Sequence, residues 1–229
     1  MGATAVQDYG RWLFFPWSKR LVHLLPHAEF AEVRADRNRN KITKAEQALL
    51  RRLKIALAGL SVGNAVANSL ALEGVHIVLN GRDGDRLEAA AQVLREQSTV
   101  TISTVVGDVA DPATRSGLLD ACPEPDILVT NNAGPPPGQF SAWEREDWLA
   151  AVDANMVAPL LLIRDVLDGM VQRRFGRIVN ITSAMVKTPI SPMGLSTGAR
   201  TGLTSVAKAL SKDVAHANVT INNLLPERI

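Results

Sequence analysis

The feature that most limits how this chain folds is an alternation that begins near Leu53 and continues to the last residues. Short apolar runs rich in β-branched side chains occur at Lys54–Gly59, His76–Asn80, Val100–Val106, Asp126–Asn131, Arg177–Thr182 and Val219–Asn223. Helix-length stretches of mixed polarity separate them. Strands that alternate with helices return to the same edge of a sheet by crossovers, so the pattern predicts a parallel sheet. The runs are nearly continuous in apolar residues, as expected of strands covered on both faces. The chain is expected to be α/β. Its 229 residues suffice for one such domain and a short extension, but not for two domains of ordinary size.

Charge divides the chain unevenly. Residues 1–55 carry 11 basic and 5 acidic side chains, a net of +6, and the remainder carries 14 basic and 18 acidic, a net of −4. The sum is the formal +2 of the whole, which excludes a strongly basic nucleic-acid binder. The single Cys122 excludes an internal disulfide and a Cys-rich zinc site. No run is long enough to span a membrane as a helix. No basic stretch precedes the apolar patch Trp12 to Trp17, so a secretory leader is not expected and a cytoplasmic location is. In the basic segment, Thr43 with Glu46 three residues later has the form of a capping box, which predicts a helix there.

The first apolar run ends in a glycine loop, Gly59, Ser61, Gly63 and Ala65, followed by a helical stretch to Leu72. Small residues at such a turn let a pyrophosphate approach the backbone at the helix N-terminus. About 20 residues further on, where a ribose-reading residue belongs, the second run ends at Asn80, Gly81 and Arg82. A carboxylate there would bind both ribose hydroxyls and repel a 2′-phosphate, whereas Arg82 favours NADP(H).

Further motifs follow in order: Gly107-Asp108-Val109 after the third run, Asn131-Asn132-Ala133-Gly134 after the fourth, Asn155 within a long helical stretch, and Asn180 to Ser183 after the fifth. Together they resemble the short-chain dehydrogenase/reductase family, from about Leu53 to the C-terminus. The resemblance implies a doubly wound parallel Rossmann-type sheet of six strands in the order 3-2-1-4-5-6, and the charge and capping pattern adds a basic helical N-terminal arm. The expected domains are a basic extension over 1–52 and a dinucleotide-binding domain over 53–229. It also implies roles: Gly59, Ser61 and Gly63 at the cofactor phosphates, Asp108 and Val109 at the adenine, and Asn132, Ala133 and Gly134 along the cofactor groove. Ser183 would hydrogen-bond a substrate carbonyl, and Asn155 would hold a water of a proton relay.

The family places a Tyr thirteen residues after its catalytic Ser and a Lys four beyond that; here those offsets fall on Ser196 and Arg200. A phenol exchanges protons near neutrality when a cation lowers its pKa, but a serine hydroxyl is far too weak an acid. Arg200 can hold the nicotinamide ribose and supply a positive field, yet it does not give up a proton. Lys187, four residues after Ser183, is a candidate donor if buried beside Arg200. These substitutions also resemble a divergent reductase subgroup with a Leu-Ser-Asn-x-x-Arg-like segment. The chain ends just after the sixth run, before the family's lid and seventh strand, which implies an open pocket, an uncovered sheet edge and weak catalysis.

The N-terminal residues do not fit that family. Gly10 to Leu13, Pro16-Trp17, Leu21 to Pro26 and Asp36 to Thr43 resemble the start of bacterial adenylyltransferases of the ubiquitin-activating superfamily, as far as Gly74-Val75. In that reading Arg37 or Arg39 reaches ATP phosphates, and the chain is a chimera joined within the first helix of two related folds. His23 and His27 are four apart, but Pro26 argues against a shared helix face, and no metal site is expected. Trp143 and Trp148 flank a charged helix start and are expected to pack at an interface.

The expected activity is an NADP(H)-dependent reduction of a small-molecule carbonyl, such as a 3-oxoacyl thioester, by a homo-oligomer. Neither a nucleic acid nor a membrane is an expected partner. The alternatives are a non-catalytic nucleotide-binding scaffold and, third, an adenylyltransferase.

Overall fold

A computed structural model describes residues 11–15, 19–26, 29, 44–59 and 61–226. The chain divides into two compact units, Met1–Leu49 and Leu50–Ile229. In the first, strands β1 (Arg11–Phe15) and β2 (Arg20–Leu24) pair antiparallel, with Arg11 opposite Leu24 and Phe15 opposite Arg20. The arm was expected to be helical. A helix, α1 (Lys44–Leu50), does follow, but the two-stranded sheet departs from that expectation, because the apolar residues of 11–15 become a strand by pairing with 20–24. The Thr43 cap, Arg37, Arg39 and His27 lie outside the described residues, and His23 stands in β2 opposite Trp12.

The second unit begins its alternation with β3 (Lys54–Ala58) and α2 (Ser61–Leu72), then β4 (His76–Gly81) and α3 (Gly84–Gln97). There follow β5 (Ile102–Val106), α4 (Pro112–Ala121), β6 (Ile127–Thr130) and α5 (Arg145–Val152). A π turn over Asp153–Val157 leads into α6 (Ala158–Gln172), and β7 (Gly176–Ile181), α7 (Gly194–Val214) and β8 (Val219–Leu224) complete the unit. All six strands are parallel, in the order β5-β4-β3-β6-β7-β8. Counted within the sheet this is 3-2-1-4-5-6, the expected topology.

Period-two alternation distributes the strand side chains between two cores. Ile55, Leu57, Ile77, Leu79, Ile127 and Val129 face one side and pack with Ala67 and Ala71 of α2 and Leu87, Ala91 and Leu94 of α3. Ala56, Ala58, Val78, Leu128 and Ile178 face the other, against Leu118 of α4, Leu162, Ile163, Val166 and Met170 of α6, and Ala207 and Val214 of α7. Asp83 and Asp111 cap α3 and α4 by accepting from Arg86 N (3.0 Å) and Ala113 N (3.2 Å). The chain builds outward from β3 to β5, then returns to build from β6 to β8. The strand order therefore reverses between β3 and β6, and the crevice beyond their carboxyl ends is where open sheets of this kind bind ligands.

Candidate active site

The strand ends at that crevice are held by polar side chains in place of further ladder bonds. Asn80 donates to the carbonyls of Val105 (2.9 Å) and Gly107 (3.1 Å) and so fixes the end of β5. The Thr130 hydroxyl donates to Asn180 Oδ1 (2.8 Å), and Asn180 Nδ2 donates to Asn223 Oδ1 (3.1 Å), which ties β6, β7 and β8 together. Asn180 is fully buried and Thr130 nearly so, so each polar group there needs its partner. In the sequence Asn80, Asn180 and Asn223 stand only as strand ends, with no role of their own. Asn at three strand termini was the signal that marks them.

At the reversal point, Asn131 N donates to Ala58 O (2.7 Å) and Gly59 N to Asn80 O (3.1 Å). Gly59 has φ +97°, and a Cβ there would lie 1.9 Å from the Asn131 carbonyl oxygen. Only glycine permits both the turn and this approach. Gly63 is buried, and a Cβ on it would come within 2.8 Å of Leu57 Cδ2 and 3.3 Å of Asn131 Nδ2. No acidic residue stands in the first turn of α2, so its N–H groups face no competing carboxylate of their own helix. The backbone of Ser61 begins that helix; its side chain lies outside the described residues.

Arg82 and Asp108, from the ends of β4 and β5, are brought to 3.8 Å, both exposed. Asp108 Oδ1 also accepts from Ala110 N (3.0 Å). Val109 beside it is buried. The loop is braced from below by Arg115, whose Nη1 donates to the carbonyls of Val109 (2.8 Å) and Ala110 (2.9 Å). Arg115 is only 7% exposed, and nothing in its sequence context marked it.

Residues 132–134 connect the remaining parts. Asn132 Nδ2 donates to the carbonyl of Ala154. This outside donor enters the helical ladder where the helix widens to a π turn, the usual way such a bulge is held open. Asn155 sits in that turn, 3% exposed; its Nδ2 donates to Ala151 O (3.4 Å) and its Oδ1 has no protein partner. The carbonyl of Asn132 accepts from Arg200 Nη2 (3.0 Å), and Arg200 Nη1 donates to Ser196 Oγ (2.8 Å) one turn back on α7. A Cβ on Gly134 would lie 3.0 Å from Arg200 Nη1, so the guanidinium rests against that glycine. Burial lowers the pKa of Arg200 by desolvation, leaving it charged at neutral pH.

Ser183 follows β7, with Thr130 of β6 paired to Asn180 three residues before it. It is half-buried and caps a short 3₁₀ turn over Ala184–Val186 by accepting from Met185 N (3.2 Å). The structure thus joins Asn132, Gly134, Ser196, Arg200 and the π turn of Asn155 directly, and sets Ser183 on the neighbouring strand end. Lys187 is the exception. It is exposed at the end of the 3₁₀ turn, so the burial that its expected role required is absent. Trp143 and Trp148 pack edge to face with ring centroids 5.7 Å apart, and the six-membered ring of Trp143 covers Gly194 at the start of α7. Among the described residues no cluster of His, Cys, Asp and Glu suits a metal ion, and no helix is long and apolar enough to cross a membrane.

A parallel sheet of this order, with a glycine turn at its reversal point and the 131–134 segment at its centre, agrees with the family match. Residues 55–229 match the short chain dehydrogenase family. The chain belongs to that family. Among curated relatives, a 3-oxoacyl-[acyl-carrier-protein] reductase of Rickettsia felis is 28% identical over 165 residues, covering 72% of this chain and 67% of its own. An NADPH-dependent reductase of Bacillus subtilis is 29% identical, covering 74% and 67%. The chain spans about two thirds of the length of these relatives. Among solved structures, L-sorbose reductase from Gluconobacter frateurii, complexed with NADPH and L-sorbose, is 29% identical with a TM-score of 0.70, covering 76% of this chain and 68% of that one. As a short chain dehydrogenase, this protein is an oxidoreductase by family.

Proposed function

We propose that this short-chain dehydrogenase reduces a small-molecule carbonyl with NADPH. One observation carries the reading. The 131–134 segment touches the glycine turn through Asn131, the π turn through Asn132, and the guanidinium of Arg200 through Asn132 and Gly134. A cofactor crevice and a polar reaction site are therefore built on one strand end.

The crevice fits a phosphorylated dinucleotide. The Gly59–Gly63 turn and the first N–H groups of α2 would hold the pyrophosphate. Arg82, whose exposed pairing with Asp108 is worth about 0–1 kcal/mol, exchanges that partner readily for a 2′-phosphate. Asp108 and Val109 would line the adenine site, and Ala133 with its neighbours Asn132 and Gly134 the groove between. When bound, NADPH supplies a hydride to the carbonyl carbon.

Ser183 donates to the carbonyl oxygen as charge builds on it, and Arg200 adds a fixed positive field that stabilises the same charge. Asn155 Oδ1, buried without a protein partner, would accept from a water that passes a proton from solvent to that oxygen. Ser196, 1% exposed, accepts from Arg200 and so holds the guanidinium from one turn back. Lys187 belongs to the proposal only as a side chain that bound substrate must bury. A 3-oxoacyl thioester, the substrate class named for the Rickettsia relative, is the first compound to assay.

Self-association is part of the proposal, supported by exposed Leu149 on α5 and Val157 in the π turn. The chimeric origin of residues 1–75 is supported by the sequence resemblance alone. Calorimetry with NADPH, NADH and ATP tests the reading. Tight NADPH binding with turnover of an activated ketone is expected. NADPH binding without turnover of any ketone favours the non-catalytic scaffold, and a preference for ATP defeats the proposal.

A further inference from the structure

We infer that the amino-terminal end of the sheet holds a second binding site, for a short-chain carboxylate, separate from the cofactor crevice. A cavity of about 240 Å³ lies there. Lys54 opens β3, His76 opens β4, and the two are register partners; Val78 is likewise paired with Ser103 of β5. Period-two alternation turns these four side chains to one face of the sheet, the face on which Ala56 and Val105 pack. Ala121 and Cys122, at the end of α4, form the other wall. β3 runs from this end to the crevice over five residues, about 16 Å, so a ligand here leaves the dinucleotide site free.

The cavity grades from a polar rim to an apolar floor. Lys54, His76 and Thr101 are exposed and Ser103 is half-buried, whereas Ile77, Val78 and Cys122 are buried. Burial raises the Cys122 thiol to about 11, so the floor is uncharged at neutral pH. The rim is rich in donors. Thr101 N donates to His76 Nδ1 (3.1 Å), which leaves Nε2 of the neutral ring to carry the proton. The hydroxyls of Thr101 and Ser103 have no hydrogen bond among the described residues. Lys54 Nζ makes one long bond, 3.5 Å to the Pro123 carbonyl just beyond α4, and no ion pair among the described residues. No carboxylate lines the cavity; Asp126 accepts from Lys54 N (2.9 Å) but stands outside the lining. A cation and neutral donors around an uncharged apolar floor match an anion with a short hydrocarbon tail. The volume is below the roughly 300–1,000 Å³ of pockets for drug-sized ligands, which limits the tail to a few carbons. Inorganic phosphate has no part to place on the floor, and a neutral amide leaves Lys54 without its counter-ion.

Butyrate, butyramide and inorganic phosphate are each titrated into the isotope-labelled full chain, with and without excess NADPH, and the backbone amide shifts are followed by NMR. Butyrate is expected to shift the amides of His76, Val78, Ser103 and Cys122. It should bind about fivefold more tightly than butyramide, the upper range of what an exposed ion pair supplies. Phosphate should leave those amides unmoved, and NADPH should leave the affinity for butyrate unchanged. Lys54→Met should bring butyrate down to the affinity of butyramide. Ala121→Trp, which fills the cavity from an exposed helix end, should remove both. If Lys54→Met does not fold, Ala121→Trp and the comparison with butyramide carry the test. The inference is overturned by butyrate that shifts none of these amides, binds no better than butyramide, or keeps its advantage in Lys54→Met. Binding that survives Ala121→Trp or is displaced by NADPH overturns it as well, and so do equal shifts with phosphate, which would reduce the site to charge alone.

Discussion

Gly59→Ala probes the point where sheet and cofactor crevice meet. The residue sits at φ +97°, where a side chain strains the backbone by about 1–2 kcal/mol. A Cβ would also stand 1.9 Å from the Asn131 carbonyl oxygen. That oxygen belongs to backbone anchored by Asn131 N to Ala58 O at 2.7 Å, so it has little freedom to retreat. Forcing the two apart adds about 1–3 kcal/mol of the kind seen when packed sites are overfilled. The sum is about 2–5 kcal/mol, which for a domain of this size lowers Tm by about 4–20 °C. Gly63→Ala is the internal control: its Cβ meets mainly Leu57 Cδ2, the far end of a flexible side chain, at 2.8 Å. Thermal unfolding followed by circular dichroism is expected to rank wild type above Gly63→Ala, and Gly63→Ala above Gly59→Ala. A Gly59→Ala protein within a degree of wild type, or more stable than Gly63→Ala, would refute the argument.

Arg82→Ala should weaken NADPH at least tenfold in calorimetry and leave NADH affinity unchanged, because only the former carries the phosphate that Arg82 would meet. Ser183→Ala should lower kcat by about 10²–10³-fold with little effect on NADPH affinity, the usual cost of one donor to a developing oxyanion; steady-state kinetics on an activated ketone measures it. Burial raises the Cys122 thiol from 9.0 to about 11, despite Lys54 nearby. The folded state thus holds the proton more tightly than the unfolded one, so stability is complete below pH 9 and falls as pH rises toward about 11. Urea midpoints across that window should decline, and Cys122→Ala should flatten the decline.

The sheet was legible because each strand announces itself in consecutive side chains. Lys54–Ala58, His76–Gly81 and Gly176–Ile181 fall within a residue or so of the apolar runs, since burial on both faces leaves few other choices of residue. The order of the strands came from the resemblance. What stayed hidden depends on contacts between distant residues. Trp12 and Phe14 alternate as a strand, but the pairing with Arg20–Leu24 that makes them one is not local. Arg115 reads as an ordinary helical arginine until the fold places it beneath Val109 and Ala110. The spacing of Lys187 to Ser183 suggests a buried role, but spacing along a loop carries no information about exposure, and the side chain is exposed.

The same distinction explains why Arg200 was undervalued in the sequence. One turn from Ser196 on a helix, it reads as a replacement for a family lysine, and replacement invites the question of what was lost. Its environment answers a different question. Asn132 uses its amide to hold the π turn open and its carbonyl to hold the guanidinium, so one side chain and one backbone group fix both the relay and the charge. Removing the Asn132 amide by Asn132→Ala would release the Ala154 carbonyl to the helix while leaving the Arg200 contact, which is made to backbone, in place. The π turn should then close and carry Asn155 with it. Turnover is expected to fall about 10-fold or more; steady-state kinetics on an activated ketone measures it, and turnover equal to wild type would refute the coupling of the π turn to proton transfer.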